Sequence, residues 1–335
     1  MKGWITVIAF LLMAAPGIGQ NTLPQNLDSV SIFKEDLKEW INALAHDSMQ
    51  GRPAGSEAGA KAAGYISSEF EKLKLLPATD SGYAISFPFA LNGNSLTGHN
   101  VVGVIPGKTD TMIIFSAHFD HIGTRMYQEM LAQMPGNSAD TIFNGANDNA
   151  SGMATILALA KFFRHMPSPY YTLAFAAFDA EEAGLFGSKF MAEAIDPGMV
   201  KLVFNFEMMG RSKRPEEKTI YLLAANKEYS KNGLRNSLHE HLGITNRRAF
   251  IFRNHPNWDS NLFKRSDNYS FYLRKIRAVT FMMIGDEDEF YHHPADQSEF
   301  IDFDLMEKSV RIIASAIQPF TMPVTAISQL QYSIK

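Results

Sequence analysis

The chain has 335 residues, of which 46% are hydrophobic and 20% charged, with a formal net charge of -4 and no cysteine. Such a length supports a sizeable buried core, and the composition is that of an ordinary globular enzyme. A mildly acidic chain without a basic block offers nothing to a nucleic acid or an anionic membrane surface. The lack of cysteine excludes disulfides, a lipid-modified cysteine and a thiol nucleophile.

Met1 to Gln20 combine Lys2, an apolar run from Trp4 to Ala15 and small residues at Pro16 to Gly19. This pattern predicts a secretory signal peptide over residues 1–19, cut near Gly19. The run is too short to span a hydrocarbon core of about 30 Å, which takes ~20 apolar residues. No membrane anchor is therefore expected after cleavage, and the mature protein is expected in a periplasm or outside the cell. No repeat or Pro/Ser-rich linker divides residues 20–335, so one domain is expected. Helix-period patterns at Ser31–Ala45 and Ser56–Leu75 predict an N-terminal helical region over about 28–76.

Short runs rich in β-branched and aromatic residues follow at Val101–Ile105, Met112–Ala117, Tyr171–Phe178, Val200–Phe206, Ile220–Ala224 and Ala278–Ile284. Helical patterns at Ala150–His165, Leu185–Ile195, Tyr229–Leu242 and Phe303–Ile317 separate several of them. The alternation predicts an α/β three-layer sandwich, with a mixed, mostly parallel central sheet flanked by helices. Ligands bind such sheets beyond the carboxyl ends of the strands. His118, the Glu181–Glu182 pair, Glu207 and His292 all lie at or just past strand ends. Arg125–Thr141 reads as either a lid or packed surface.

Five segments carry the chemistry. His118-Phe119-Asp120-His121 sets two histidines around an aspartate, and Asp120 is placed to take the second ring N–H of His118. Asp148, among Gly145, Ala146, Ala150 and Gly152, is either a helix N-cap or a ligand for which small neighbours leave room. Of the adjacent glutamates, Glu182 can bind a metal while Glu181 faces water, although acids also suit a helix start for its dipole alone. Glu207 stands in an apolar stretch, where a carboxylate must be paired, protonated or coordinated. The last imidazole is His292 or His293, and spacing decides nothing between them. Phe119, Tyr127, Phe143, Phe186, Trp258 and Tyr291 are candidates for an apolar substrate pocket. His239-Glu240-His241 lacks the i, i+4 histidine pair of a helical zinc motif and reads as a solvated helix end. No Gly-x-Ser-x-Gly elbow marks a serine hydrolase.

In this order, His118-Phe119-Asp120, Gly145–Gly152, Glu181-Glu182, Glu207-Met208 and Tyr291-His292 with Asp296 resemble the M28 family of zinc aminopeptidases. Gly51-Arg52-Pro53-Ala54-Gly55-Ser56 also resembles that family's N-terminal region. The resemblance covers nearly all of the mature chain and implies a zinc-exopeptidase, phosphorylase/hydrolase-like fold with two zinc ions. His118 and Glu207 would hold one zinc, Glu182 and His292 the other, and Asp148 would bridge them. Glu181 would be the general base for the attacking water, Asp120 the partner of His118, and Asn268 and Tyr291 would meet the substrate. The match favours His292 over His293. Glu207 departs from the family's common aspartate, and Asn268 from its frequent histidine. The expected activity is removal of the N-terminal residue from peptides. A single-zinc glutaminyl cyclase and a catalytically silent binding homologue are the alternatives on the same scaffold.

Overall fold

The strand-end positions matter only if the strands lie side by side. The structure, a computed structural model, describes residues 31–124, 140–212, 219–224, 233–244, 251–255, 261–284 and 288–323. The leader, most of the 125–141 segment, Tyr127 and Trp258 lie outside the described residues.

Helices α1 (Lys34–Leu44) and α2 (Glu57–Lys72) lead into β1 (Leu76–Pro77) and a hairpin of β2 (Ala84–Leu91) and β3 (Asn94–Ile105). There follow β4 (Thr109–His118), the two-residue strands β5 (Gly123–Thr124) and β6 (Ile142–Phe143), α3 (Gly152–His165), β7 (Tyr171–Phe178), α4 (Phe186–Ala194) and β8 (Val200–Glu207). The rest is β9 (Ile220–Ala224), α5 (Leu234–His241), β10 (Phe252–Asn254), α6 (Asn268–Leu273), β11 (Ala278–Met282) and α7 (Phe303–Ile317). Side-chain oxygens of Ser56 and Asp302 accept from the amides of Gly59 and Leu305, which starts α2 and α7 where the chain supplies a capping residue.

Among the described residues, nine strands form one mixed sheet in the order β1-β3-β7-β4-β8-β11-β9-β10, with β2 paired to β3. The central strands β7, β4, β8 and β11 run parallel. The expected mixed sheet is what forms: β10 also runs parallel to β9, while β1, β2 and β3 pair antiparallel on one flank and β9 runs against β11 on the other. A two-residue connection such as Asn92-Gly93 can join only antiparallel neighbours.

Both faces of the central strands are covered, which explains their unbroken apolar runs. Ile113 and Phe115 face a core built with α1, α2, α3, α5 and α7 that includes residues from Ile32 to Ile317. Ile114 between them faces the opposite core, with α4 and α6. His239 and His241 correct the expected solvated helix end. The His239 ring is buried and accepts from the Phe252 amide at 3.0 Å, while His241 Nδ1 lies 2.7 Å from the Ala316 carbonyl oxygen. Among the described residues, no helix is long and apolar enough to cross a membrane.

Candidate metal centre

The parallel strands deliver their carboxyl ends to one edge. His118 closes β4, Glu207 closes β8, and β7 ends four residues before Glu182. The Asp148 turn precedes α3, and His292 follows β11 after a loop. Ala180, Leu185, Met208 and His292 hold left-handed backbone conformations around these side chains. Each costs on the order of 1 kcal/mol, the kind of strain that clusters at functional sites.

Two groups of side chains converge here. His118, Asp148 and Glu207 form one, and His121, Asp148, Glu182 and His292 the other, the donor atoms of each lying within 4.8 Å of one another. Asp148 belongs to both and divides its oxygens between them. Oδ1 is 3.4 Å from His118 Nε2, whereas Oδ2 is 3.5 Å from His292 Nε2 and 3.8 Å from His121 Nδ1. Glu207 Oε1 lies 3.2 Å from His118 Nε2, and Glu182 Oε2 lies 3.0 Å from His292 Nε2. Ligands about 2.0–2.2 Å from a tetrahedral zinc are separated from one another by roughly 3.4 Å. The spacings match that figure, and the nitrogen and carboxylate donors suit zinc.

The surrounding residues explain how these positions are held. Asn149 Oδ1 accepts from the amides of Gly152 and Met208, at 3.0 and 3.1 Å. It thus takes the helix-capping role and leaves the Asp148 carboxylate free. Asn147 Oδ1 accepts from the Gly210 amide, tying the same turn to the end of β8. Asp296 is fully buried and accepts from the amides of Asn147 and Asp148 at 2.9 and 3.0 Å. Arg211 pairs with Asp296 at 2.9 Å and with Asp288 at 2.6 Å. A donated chain runs from Ser116 to Asn205, from Asn205 to Ser266, and from Ser266 to Glu207 Oε2, at 2.9, 2.8 and 2.7 Å.

Asp120 divides its effort. Its backbone oxygen lies 3.1 Å from His118 Nδ1 and its carboxylate 3.7 Å away, while the carboxylate also accepts from the amides of Glu181 and Glu182. Arg52, fully buried, donates to the carbonyls of Phe119, Asn144 and Gly145, and so clamps the His118 loop to the Asp148 turn.

The neighbouring glutamates titrate in opposite directions. Burial pushes Glu181 well above the usual carboxylate range, aided by Glu182, Asp267 and Glu207 and opposed by His118. Burial would raise Glu182 as well, but hydrogen bonds and charge from His121 and His292 hold it well below that range. A pair pushed apart in this way separates a proton carrier from a permanent anion. Burial disfavours a charged His118 ring, yet Glu207 and Glu181 hold its pKa well above 6.5.

The cavity over this edge has a volume of about 920 Å³. Its apolar wall is Met208, Leu223, Leu262, Tyr269, Met282 and Ile284, and Lys264 and Arg265 also line it. Of the expected pocket aromatics, Tyr291 lines the cavity, stacked on His292 with its hydroxyl taken by Arg265. Phe119 and Phe143 are buried in the core, and Phe186 packs on Phe89. Asn268 does not line the cavity. Its amide is spent on the Phe263 carbonyl and the Thr280 hydroxyl, so the expected substrate contact is withdrawn.

The profile of Peptidase family M28 matches residues 100–317, well over half of the chain. The chain belongs to peptidase family M28. Aminopeptidase YwaD of Bacillus subtilis strain 168 is 24% identical over 235 residues, which are 66% of this chain and 44% of that one. The chain spans between 16% and 23% of the length of three other curated relatives it matches. Among solved structures, the zinc aminopeptidase BSAP of Bacillus subtilis superposes with a TM-score of 0.65 at 16% identity, over 88% of this chain and 96% of that one. The glutaminyl cyclase of Porphyromonas gingivalis superposes with a TM-score of 0.64 at 12% identity, over 85% and 98%. Both structures share the fold of this M28 chain.

Proposed function

We propose that this M28 protein is a zinc-dependent aminopeptidase that binds two metal ions and releases an apolar N-terminal residue from peptides. One observation carries the reading: the two oxygens of Asp148 face two separate donor groups, each with its own imidazole and its own glutamate. His118 and Glu207 would hold one ion, Glu182 and His292 the other. When bound, zinc supplies a Lewis acid for the scissile carbonyl and lowers the pKa of water to about 7.

Glu181 supplies the proton transfers. Its Oε2 lies 4.0 Å from His118 Nε2, at the edge of the first donor group, and burial keeps its proton affinity high. It takes a proton from the attacking water and gives it to the departing amine. The wall of Met208, Leu223, Met282 and Ile284 receives the apolar side chain and excludes water from it. Tyr291 covers His292 and sets the orientation of the peptide. A single-zinc cyclase would need only one of the two donor groups, whereas both are complete here. The leader-like residues 1–19 support export, with residues 20–335 acting as one domain.

The test combines zinc content per chain with turnover of leucyl, alanyl, lysyl and glutamyl arylamides and of an N-terminal glutaminyl peptide. Two zinc ions and preference for leucyl substrate are expected. One zinc with ammonia release from the glutaminyl peptide would overturn the proposal in favour of a cyclase.

A further inference from the structure

On the footing that the chain holds a zinc pair as proposed above, we infer that His121 is itself a ligand, giving the Glu182 position two imidazoles and four protein donors. The four are His121 Nδ1, His292 Nε2 and one oxygen each from Glu182 and Asp148. His121 Nδ1 is 2.9 Å from Glu182 Oε1 and 3.8 Å from Asp148 Oδ2, while His292 Nε2 is 3.0 and 3.5 Å from the same two carboxylates. These edges bracket the roughly 3.4 Å separation of ligands around tetrahedral zinc, and all four donors lie within 4.8 Å of one another.

A simple hydrogen bond from His121 to Glu182 accounts for one of these contacts only. It leaves unexplained why both rings address both carboxylates while standing edge to face with centroids 5.5 Å apart. Among the described residues its buried Nε2 has no hydrogen-bond partner, so Nδ1 makes the polar contacts of the ring. Main chain fixes the ring instead. The His121 amide donates to the Arg52 carbonyl at 3.3 Å, and a Cβ on Gly145 would sit 2.6 Å from His121 Cδ2. Glycine at 145 thus leaves the room in which the ring stands.

The two metal positions then differ in kind. Four protein donors complete a tetrahedral shell, as in a structural zinc site, whereas three leave a place for water. His118, Asp148 and Glu207 form the three-donor position, and Glu181 stands beside it. The His121 position anchors and fills first; the His118 position exchanges and carries the water.

Zinc X-ray absorption on wild-type protein loaded with one equivalent tests this without any variant. Two imidazoles on that zinc are expected, and a single imidazole would overturn the inference while leaving the metallopeptidase reading intact. His121→Gln should drop the count to one and weaken the first zinc more than 100-fold in competition with a chromophoric chelator, beyond the roughly 10–100-fold cost of losing an orienting partner. A weakening of 100-fold or less, no more than an orienting partner costs, removes His121 from the shell. Wild-type protein that takes up no zinc defeats the proposed function and this inference together.

Discussion

Replacing Arg52 with methionine should destabilise the apoprotein by about 4.5 kcal/mol. The guanidinium donates to the carbonyls of Phe119, Leu44 and Asn144 at 2.6 Å and of Gly145 at 3.0 Å. Bonds from a charged donor contribute about 2 kcal/mol each, or ~8 kcal/mol for the set. Against this stands the cost of burying the charge. Burial lowers the Arg52 pKa from 12.5 to about 10, despite Asp120, Asp296, Asp148 and Glu182, and at ~1.4 kcal/mol per unit the cost is about 3.5 kcal/mol, which leaves a net contribution of about 4.5 kcal/mol. Arg52→Lys keeps the charge but not the planar fork; it should lose one or two bonds and about 2–4 kcal/mol. Urea unfolding of metal-free protein with linear extrapolation measures both. A methionine variant within about 1 kcal/mol of wild type would refute the clamp, because three elements would then hold their places without it.

Glu181→Gln keeps the volume of the side chain but not its proton affinity, and should cut turnover by at least 10²–10⁴-fold with zinc content unchanged; retained activity refutes its role as the base. Chelation should lower the melting temperature, since zinc at a hundredfold excess over its dissociation constant contributes about 2.7 kcal/mol per site, and added zinc should restore it; a melting temperature indifferent to chelator counts against any bound metal. His239 titrates away from the metal centre. Its burial pushes its pKa from 6.5 down to about 4, so the unfolded chain binds the extra proton between those values. The neutral ring's contribution is complete above pH 6.5 and drains away as pH falls through 4. Wild-type protein should therefore lose more stability from pH 7 to pH 4 than His239→Gln, and parallel curves would reject the assignment.

The parallel centre of the sheet was legible because strands buried on both faces show as unbroken apolar runs. The β2–β3 hairpin was missed although Asn92-Gly93, both at positive φ, is a strong turn signal. Its strands are half-exposed and include Pro88, so their apolar pattern is faint. His118, Asp148, Glu182, Glu207 and His292 converge as anticipated: four lie at or after strand ends on one edge, and Asp148 reaches the same edge from the turn before α3. His121 was visible as the second histidine of its segment, but its direction is set by the turn after β4, which no periodicity reports. Arg52 escaped for a similar reason: its partners are backbone oxygens up to 93 positions away, and carbonyls leave no mark in a sequence. Asn268 was misread because neighbouring residues on a short helix point to different places, and the Thr280 hydroxyl claims its amide.

Asp148 shares its two oxygens between the donor groups, so the two ions of the proposed site would each respond to whether the other is in place. Filling one position freezes the carboxylate in the orientation its neighbour requires, and emptying one leaves a negative oxygen uncompensated beside the ion that stays. Cooperative uptake follows, with each occupant strengthening its companion by the same factor. In the two-ion site as proposed, a limiting supply of metal would therefore leave the four-donor position loaded and the three-donor position waiting for its companion.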